Sequence, residues 1–174
     1  MGITVDMFVK TFKANVKAKD KTFEEFINKH ITTKYVSYIN KVAHCDSIVK
    51  ATCHIKDGDR EIIKVNSPNR YMFFTMKLIQ LYTDININDD NVVGDYDSLN
   101  EIGAINVLMA AIPESEYTEF STLLNMRMDD FYDNEYSINA LLYNLKESFS
   151  LSEEVINSVL EELQKQANNT TDTQ

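Results

Sequence analysis

Glycine and proline are scarce in this chain, which has four and two of them in 174 residues. Folds with many tight turns, such as β-sandwiches and barrels, need more of both, because turns require a positive or a preset φ. Tryptophan is absent and cysteine occurs twice. The composition therefore favours helices, while a 44% apolar content is enough for a globular core.

Long hydrophobic runs are also missing. No stretch of 18 apolar residues occurs, so the sequence predicts no membrane-spanning helix. The opening MGITVDMFVK lacks the charged-then-apolar pattern of a secretion signal. Two cysteines without such a signal are typical of a reducing compartment, so we expect an intracellular protein.

Basic residues are nearly absent from the second half of the chain. Residues 1–80 hold 14 of the 17 Lys and Arg against 8 acids, a balance of +6. Residues 81–174 hold 3 basic residues against 19 acids, a balance of −16. This asymmetry leaves three interpretations open: packing of the two halves within one molecule, head-to-tail assembly, and contact with nucleic acid.

Helical spacing of apolar residues and capping signals recur along the chain. In the first half they predict a helix over Thr4–Val16, a second one opened by Thr22, a third over Tyr35–Cys53 and a fourth opened by Ser67 and Pro68. The fourth is the most apolar segment, and we expect Tyr71, Phe74, Leu78 and Leu81 on its hydrophobic face.

The second half continues this pattern. Ser98 and Glu101 form a capping-box signal that predicts one helix through Ile102 and Leu108, ending before Pro113. A further helix begins at Pro113, with Tyr117, Phe120, Leu124, Met128 and Phe131 facing inward. Two more are predicted, one opened by Ser137 and one from Ser152 to about Gln166.

A single β-hairpin is predicted near residues 54–66. Asp57, Gly58 and Asp59 lie between runs of β-branched residues, which is a hairpin signal. We therefore expect a mainly α protein: a compact bundle of about seven short helices in a single domain, residues 1–167, followed by a mobile polar tail, residues 168–174. The expected core includes Phe74, Leu78, Leu108, Phe120 and Leu124.

The Asp- and Asn-rich segment after the fourth helix offers a candidate cation site. Asp84, Asn86 and Asn88 occupy positions 1, 3 and 5 of an EF-hand-like pattern, with Asp95 at position 12. The pattern requires glycine at position 6, where this chain has Asp89, and glutamate at position 12. The solvated acidic loop is therefore the favoured interpretation, and no metal or other cofactor is expected.

The cysteines and histidines do not form a recognisable catalytic or zinc-binding motif. Cys45 and Cys53 are eight residues apart, which on a helix separates them by about 12 Å along its axis. We expect both to be small buried side chains. Gly-rich phosphate loops, nucleophile elbows and metalloprotease motifs are also absent. The sequence thus predicts a protein that is not an enzyme.

Charged faces of the predicted helices are the candidate interaction sites. Lys10, Lys13 and Lys17 share one face of the first helix. A second group is acidic and lies at the end of the helix that follows Pro113: Asp129, Asp130, Asp133 and Glu135. The lysines could contact nucleic acid, but the acidic half would repel the same polyanion, so we favour protein–protein contacts.

Three segments resemble small proteins encoded by tailed phages and prophages of low-GC Gram-positive bacteria. They are MFVKTFKA, NSPNRYMFFTMKLIQLYTDI and LNEIGAINVLMAAIPESEYTEFSTLLNMRMDDFYDNEYS. The resemblance covers roughly residues 5–145 and is one of overall sequence style. Such proteins resemble virion-morphogenesis components that act as head–tail connectors or tail-assembly chaperones, and no catalytic residues are carried over.

This resemblance implies a non-enzymatic structural or assembly protein. Its expected partners are other phage structural proteins, or copies of itself in a ring or head-to-tail array, and not membranes. Its expected location is the bacterial host cytoplasm during assembly, or the virion. The alternative is a small intracellular regulator that binds nucleic acid through the lysine-bearing first helix.

Overall fold

A computed structural model describes residues 2–16, 21–57, 60–136, 141, 155, 158 and 161. Seven α-helices dominate this described part of the chain: Val5–Asn15 (α1), Lys21–His30 (α2), Tyr38–Cys53 (α3), Ser67–Tyr82 (α4), Val92–Glu101 (α5), Ala104–Ala111 (α6) and Glu114–Phe131 (α7). The prediction of a mainly α, compact fold is confirmed.

Helix α1 follows the predicted boundaries closely. The Thr4 hydroxyl oxygen accepts a hydrogen bond from the Met7 amide at 3.4 Å, so Thr4 is the N-cap. Val5, Phe8 and Phe12 form the buried stripe at spacings of three and four residues. The opposite face, which carries Lys10 and Lys13, is exposed.

The predicted hairpin is also present. Strand β2 (His54–Asp57) pairs antiparallel with β3 (Arg60–Ile63), and Asp57 faces Arg60 across the turn. The cap of α4 differs from the prediction by one residue. Asn66, and not Ser67, accepts the hydrogen bond from the Asn69 amide at 3.1 Å, and Pro68 lies in the first turn.

Two short strands join distant parts of the chain, which local sequence patterns did not indicate. Strand β1 (Ile3–Thr4) pairs in parallel with β4 (Ile85–Asn86), so that Ile3 faces Ile85. Ile31 and Thr83 form an isolated antiparallel bridge beside them. These pairings fix the start of α1 and the end of α2 against the segment that follows α4.

The single helix predicted from Ser98 through Leu108 is wrong, because the chain forms two helices there. Ser98 lies inside α5, which ends at Glu101, and α6 begins at Ala104. Gly103 between them has φ of 71°, a left-handed conformation that favours glycine. A 3₁₀ turn, Asp89–Asn91, precedes α5.

Helix α7 begins directly after Pro113, as predicted, and a π-helical turn, Tyr132–Tyr136, follows it. The chain divides into two compact units, residues 1–128 and 129–174. The single domain over 1–167 therefore stays a prediction. The predicted helices after Ser137 and Ser152 and the tail 168–174 lie almost entirely outside the described residues.

The core of the first unit confirms the principal apolar positions. All five expected core residues are buried: Phe74, Leu78, Leu108, Phe120 and Leu124. Two tyrosines expected on inward faces are not, since Tyr71 is 60% exposed and Tyr117 is 40% exposed. Both lie at the rims of their helices' apolar stripes, where an amphipathic ring keeps its hydroxyl in water.

Across the described residues, no helix is both long enough and apolar enough to cross a membrane.

Replacing Gly103 tests the left-handed turn between α5 and α6. A Cβ built at this position meets no atom within 4 Å, so any cost of Gly103→Ala comes from backbone strain. We expect the free energy of unfolding to fall by about 1 kcal/mol, measured by urea denaturation with circular dichroism. The control Gly103→Asn should lose less, because asparagine tolerates positive φ. Equal stability of the alanine variant and the parent would contradict this.

Candidate functional site

Lys41 is fully buried near the start of α3, with 0% of its surface exposed. Its Nζ lies 2.9 Å from Glu116 Oε2 and also bonds Glu119, both on α7. The ammonium group lies 5.2 Å from the ring centre of Tyr35, in a cation–π contact. One cation is therefore enclosed by two carboxylates and an aromatic face.

Glu116 gathers three donors on one carboxylate oxygen. Besides Lys41, its Oε2 accepts hydrogen bonds from the Tyr82 hydroxyl at 2.6 Å and from the Val36 amide at 3.0 Å. Tyr82 is 0% exposed and Glu116 is 6% exposed. The contacts thus bring together α3, α4, α7 and the segment between α2 and α3. We call Lys41, Tyr82, Glu116 and Glu119 the buried charge network.

The network keeps its members in their ordinary charge states. Burial alone would raise the pKa of Glu116, but hydrogen bonds from Tyr82, Val36 and Lys41 hold this pKa below its ordinary value of 4.5. Burial alone would lower the pKa of Lys41, yet the two glutamates raise it above 10.5. Burial, followed by the hydrogen bond to Glu116, raises the pKa of the Tyr82 phenol well above 10.0.

Such a lysine is unsuited to nucleophilic or base catalysis. A catalytic lysine needs a lowered pKa and access to substrate, whereas Lys41 has a raised pKa and no exposed surface. The arrangement can instead hold four segments of the chain together. Its chemistry is that of a buried ion pair, which makes removal of one partner costly.

The buried charge network was not predicted from the sequence, although the sequence contains a signal for it. The buried positions of α3 recur at helical spacing from Cys45 through Cys53, and Lys41 lies in phase with them. The apolar residues Ile39 and Ala43 lie outside this phase, and Ile39 is 78% exposed. A lysine in the apolar phase of a helix indicates a buried cation, which needs an acidic partner.

Most of the candidate cation ligands have side-chain oxygens that are hydrogen-bonded to other groups of the protein. Asp84 Oδ1 lies 2.7 Å from His30 Nδ1, and Asp95 Oδ2 accepts from the Asn88 amide at 2.7 Å. The Asn88 side chain accepts from the Asp90 amide, as in an Asx turn. Asn86 lies in β4 and is exposed. Within the described ranges, no cluster of three or more His, Cys, Asp or Glu side chains could hold a metal ion.

His30 and Asp84 form a second polar pair that the sequence did not indicate. His30 is 8% exposed and lies edge-on between two phenylalanines, Phe8 and Phe26, at ring distances of 5.1 and 4.9 Å. The Asp84 amide also donates to the His30 carbonyl at 3.0 Å. This pair joins the end of α2 to the segment that leads into β4.

The predicted interaction residues fall into two groups. Lys10 and Lys13 are exposed neighbours on α1, and Lys17 lies outside the described residues. Asp129 and Asp130 are exposed at the end of α7, and Asp133 is exposed in the π-helical turn. Glu135 belongs to the same turn. The described lysines thus lie on one helix, α1. The described acidic residues lie at the end of α7 and in the turn that follows it.

Both cysteines are buried, as expected from the sequence. Cys45 Sγ lies 3.9 Å from the Phe120 carbonyl oxygen, and Cys53 Sγ lies 3.8 Å from Met128 Sδ. Burial raises the pKa of Cys45 to about 11, which suppresses thiolate formation. The two side chains therefore act as apolar packing groups between α3 and α7.

No protein-family model, no curated protein and no solved structure matches this chain significantly.

Replacing Lys41 with methionine tests the buried charge network. Glu116 would keep a buried charge without its cation, so we expect the free energy of unfolding to fall by about 3–5 kcal/mol in chemical denaturation. Lys50→Met, an exposed position on the same helix, should change it by less than about 0.5 kcal/mol. The double variant Lys41→Met with Glu116→Gln should lose less than the sum of the single variants. Additive losses would contradict the coupling.

The acid sensitivity of stability follows from Glu116. Its pKa is lower in the folded protein than in the unfolded chain, so its contribution is present above about pH 4.5 and is lost as pH falls through the folded pKa. We expect the free energy of unfolding of Glu116→Gln to decline less than that of the parent between about pH 5 and pH 3. Glu114→Gln, an exposed change on the same first turn, should retain the full decline. Parallel curves for all three proteins would contradict the assignment.

Proposed function

We propose that this protein is a non-enzymatic assembly protein of a tailed phage or prophage, acting in head–tail connection or tail assembly through protein–protein contacts. The observation that carries the proposal is the outward display of opposite charges on separate helices. The sequence resemblance supplies the biological setting.

Within the described residues, only some of the charged side chains form ion pairs with one another. Among the described residues, Lys41 is the lysine of residues 1–80 that forms ion pairs with carboxylates of the acidic half. A second pair runs in the opposite sense, with Arg127 Nε 2.5 Å from Asp46 Oδ1, and both of its side chains are partly exposed. Other charged side chains of the described residues, among them Lys10, Lys50 and Glu114, are exposed.

One exposed basic surface of the protein lies on α1. Lys10 and Lys13 are exposed, and the described part of the chain provides neither of them with an ion pair. Acidic side chains are exposed elsewhere: Asp89, Asp90, Asp97, Glu101 and Glu114. Exposed charges of opposite sign on different helices favour a heterologous contact, which generates rings or filaments between identical copies.

Electrostatic contacts of this kind weaken when salt is added, because exposed charges are screened beyond about 8 Å at physiological ionic strength. The proposal therefore commits to a salt-dependent contact that involves the outer face of α1. Nucleic-acid binding through the same lysines is the second candidate, and the exposure of Lys10 and Lys13 is the observation that favours it.

Sedimentation velocity at about 0.05 M and 0.5 M salt tests the assembly. We expect oligomers at the lower concentration that dissociate at the higher one. The pair Lys10→Glu with Lys13→Glu should be monomeric at both, because the basic face is inverted. The matched control, Lys50→Glu with Lys64→Glu, makes the same change in net charge at two other exposed lysines and should still assemble.

Two results would overturn this function. One is a monomer at both salt concentrations, and the other is oligomerisation that both double variants retain equally. A gel shift with duplex DNA separates the second candidate. DNA binding that is lost in the Lys10→Glu and Lys13→Glu variant and kept in the control would favour the nucleic-acid regulator over the assembly protein.

A further inference from the structure

A cleft of about 220 Å³ opens between α3, α4 and the start of α5. Its apolar lining comes from Ile48 on α3, Phe73 and Met76 on α4, and Ile87 and Val92 beyond β4. Ile48, Met76 and Ile87 are buried core residues, so this wall of the cleft is fixed by the packing of the fold. The cleft is therefore a formed feature of the first unit and has an apolar base.

Polar groups also line this cleft, and one of them is a cation. Lys77 is half-buried, and its Nζ donates a hydrogen bond to Gln80 Oε1 at 2.5 Å. Gln80 is neutral, so it orients the ammonium group without compensating its charge. In the residues that the structure describes, Lys77 forms no ion pair. An unmatched cation beside an apolar surface is suited to a ligand with a negative group.

The neighbouring side of α3 adds the hydroxyl of Ser47, and the His44 imidazole is near enough to Lys77 to be affected by its charge. Ser47 lines the cleft, and its hydroxyl donates to the His44 carbonyl at 3.2 Å. Burial, and then the nearby positive charge of Lys77, lower the pKa of His44. His44 is therefore neutral at pH 7 and adds no competing cation. The positive charge at this site belongs to Lys77.

We propose that this cleft binds a small organic anion with an apolar body, such as an aromatic carboxylate, whose charged group contacts Lys77. The size is suitable, because a cavity of about 150 Å³ already accommodates benzene. The ring would cover Phe73 and Met76, and the carboxylate would replace water at the ammonium group. This site is independent of the charged α1 surface and of the assembly function.

Asp89 is the group that opposes an anion. It lies in the 3₁₀ turn, lines the cleft and is exposed. Water therefore screens its charge, whereas Lys77 is half-buried and is screened less. The structure thus makes two opposite predictions for one ligand: removal of the cation weakens binding, and removal of the Asp89 charge strengthens it.

Three probes of the same shape test the site by amide NMR titration: benzoate, benzamide and benzylamine. We expect benzoate to bind with a Kd of about 1 mM, which is typical of a ligand with so few atoms. Benzamide should bind about fivefold more weakly, since it lacks the charge, and benzylamine more weakly still. Saturable shifts should appear at the amides of Ser47, Lys77 and Val92.

Two variants and one control identify the residues responsible. Lys77→Met keeps the apolar stem and removes the cation, so we expect this variant to bind benzoate no more tightly than benzamide. Asp89→Asn should strengthen benzoate binding about threefold. Lys50→Met, outside the cleft on α3, should leave all three affinities unchanged. The amide spectrum of each variant shows whether it is folded, and Asp89→Asn tests the charge dependence even if Lys77→Met unfolds.

The proposal is overturned if none of the probes gives a saturable shift, or if the shifts lie away from the cleft. It is also overturned if benzoate and benzamide bind the parent protein equally, because the cation would then contribute nothing. Preferential binding of benzylamine would reverse the assigned charge and would equally reject the proposal.

Discussion

The buried ion pair between Lys41 and Glu116 is the interaction on which most of the first unit depends. It joins α3 to α7, while Tyr82 and the Val36 amide connect the same carboxylate to α4 and to the segment before α3. A buried pair of this kind contributes little net energy over an apolar replacement. The pair instead favours the native positions of the helices. A misaligned helix would leave a charge buried and unpaired, which would be far more costly. The pair therefore selects one relative arrangement of these elements.

Local signals made much of the fold predictable. Caps and helical periods indicated α1, α3, α4 and α7, and the Asp57–Asp59 segment indicated the hairpin. Contacts between distant residues were not predictable, since the strand pair of Ile3 with Ile85 has no local signature. The division between α5 and α6 was missed because a capping pattern at Ser98 outweighed the signal of Gly103. The buried network was not predictable from hydrophobicity alone, because α3 exposes apolar residues such as Ile39 and buries Lys41.

The charge asymmetry of the sequence has a more specific meaning in the structure. One lysine of the basic half is enclosed by acidic side chains, and the pair of Arg127 with Asp46 runs the other way. Within the described residues, ion pairs thus connect the two halves in both directions. Individual lysines have separate environments: Lys41 is buried, Lys77 is half-buried beside a cleft, and Lys10 is exposed. Net charge by segment describes solubility and long-range attraction, whereas burial decides what each cation does.

The parallel pairing of Ile3 with Ile85 has a consequence for synthesis in the cell. Part of the surface that covers the apolar stripe of α1 lies far downstream, and it includes Leu99 and Leu108 in the same core cluster. A ribosome adding about 5–20 residues per second needs roughly 4–16 s to extend the chain from the first strand to its partner. During that interval Phe8 and Phe12 can pack only against the rings of α2, such as Phe26 and Phe23. The nascent chain therefore exposes part of this apolar stripe until the later helices have been synthesised.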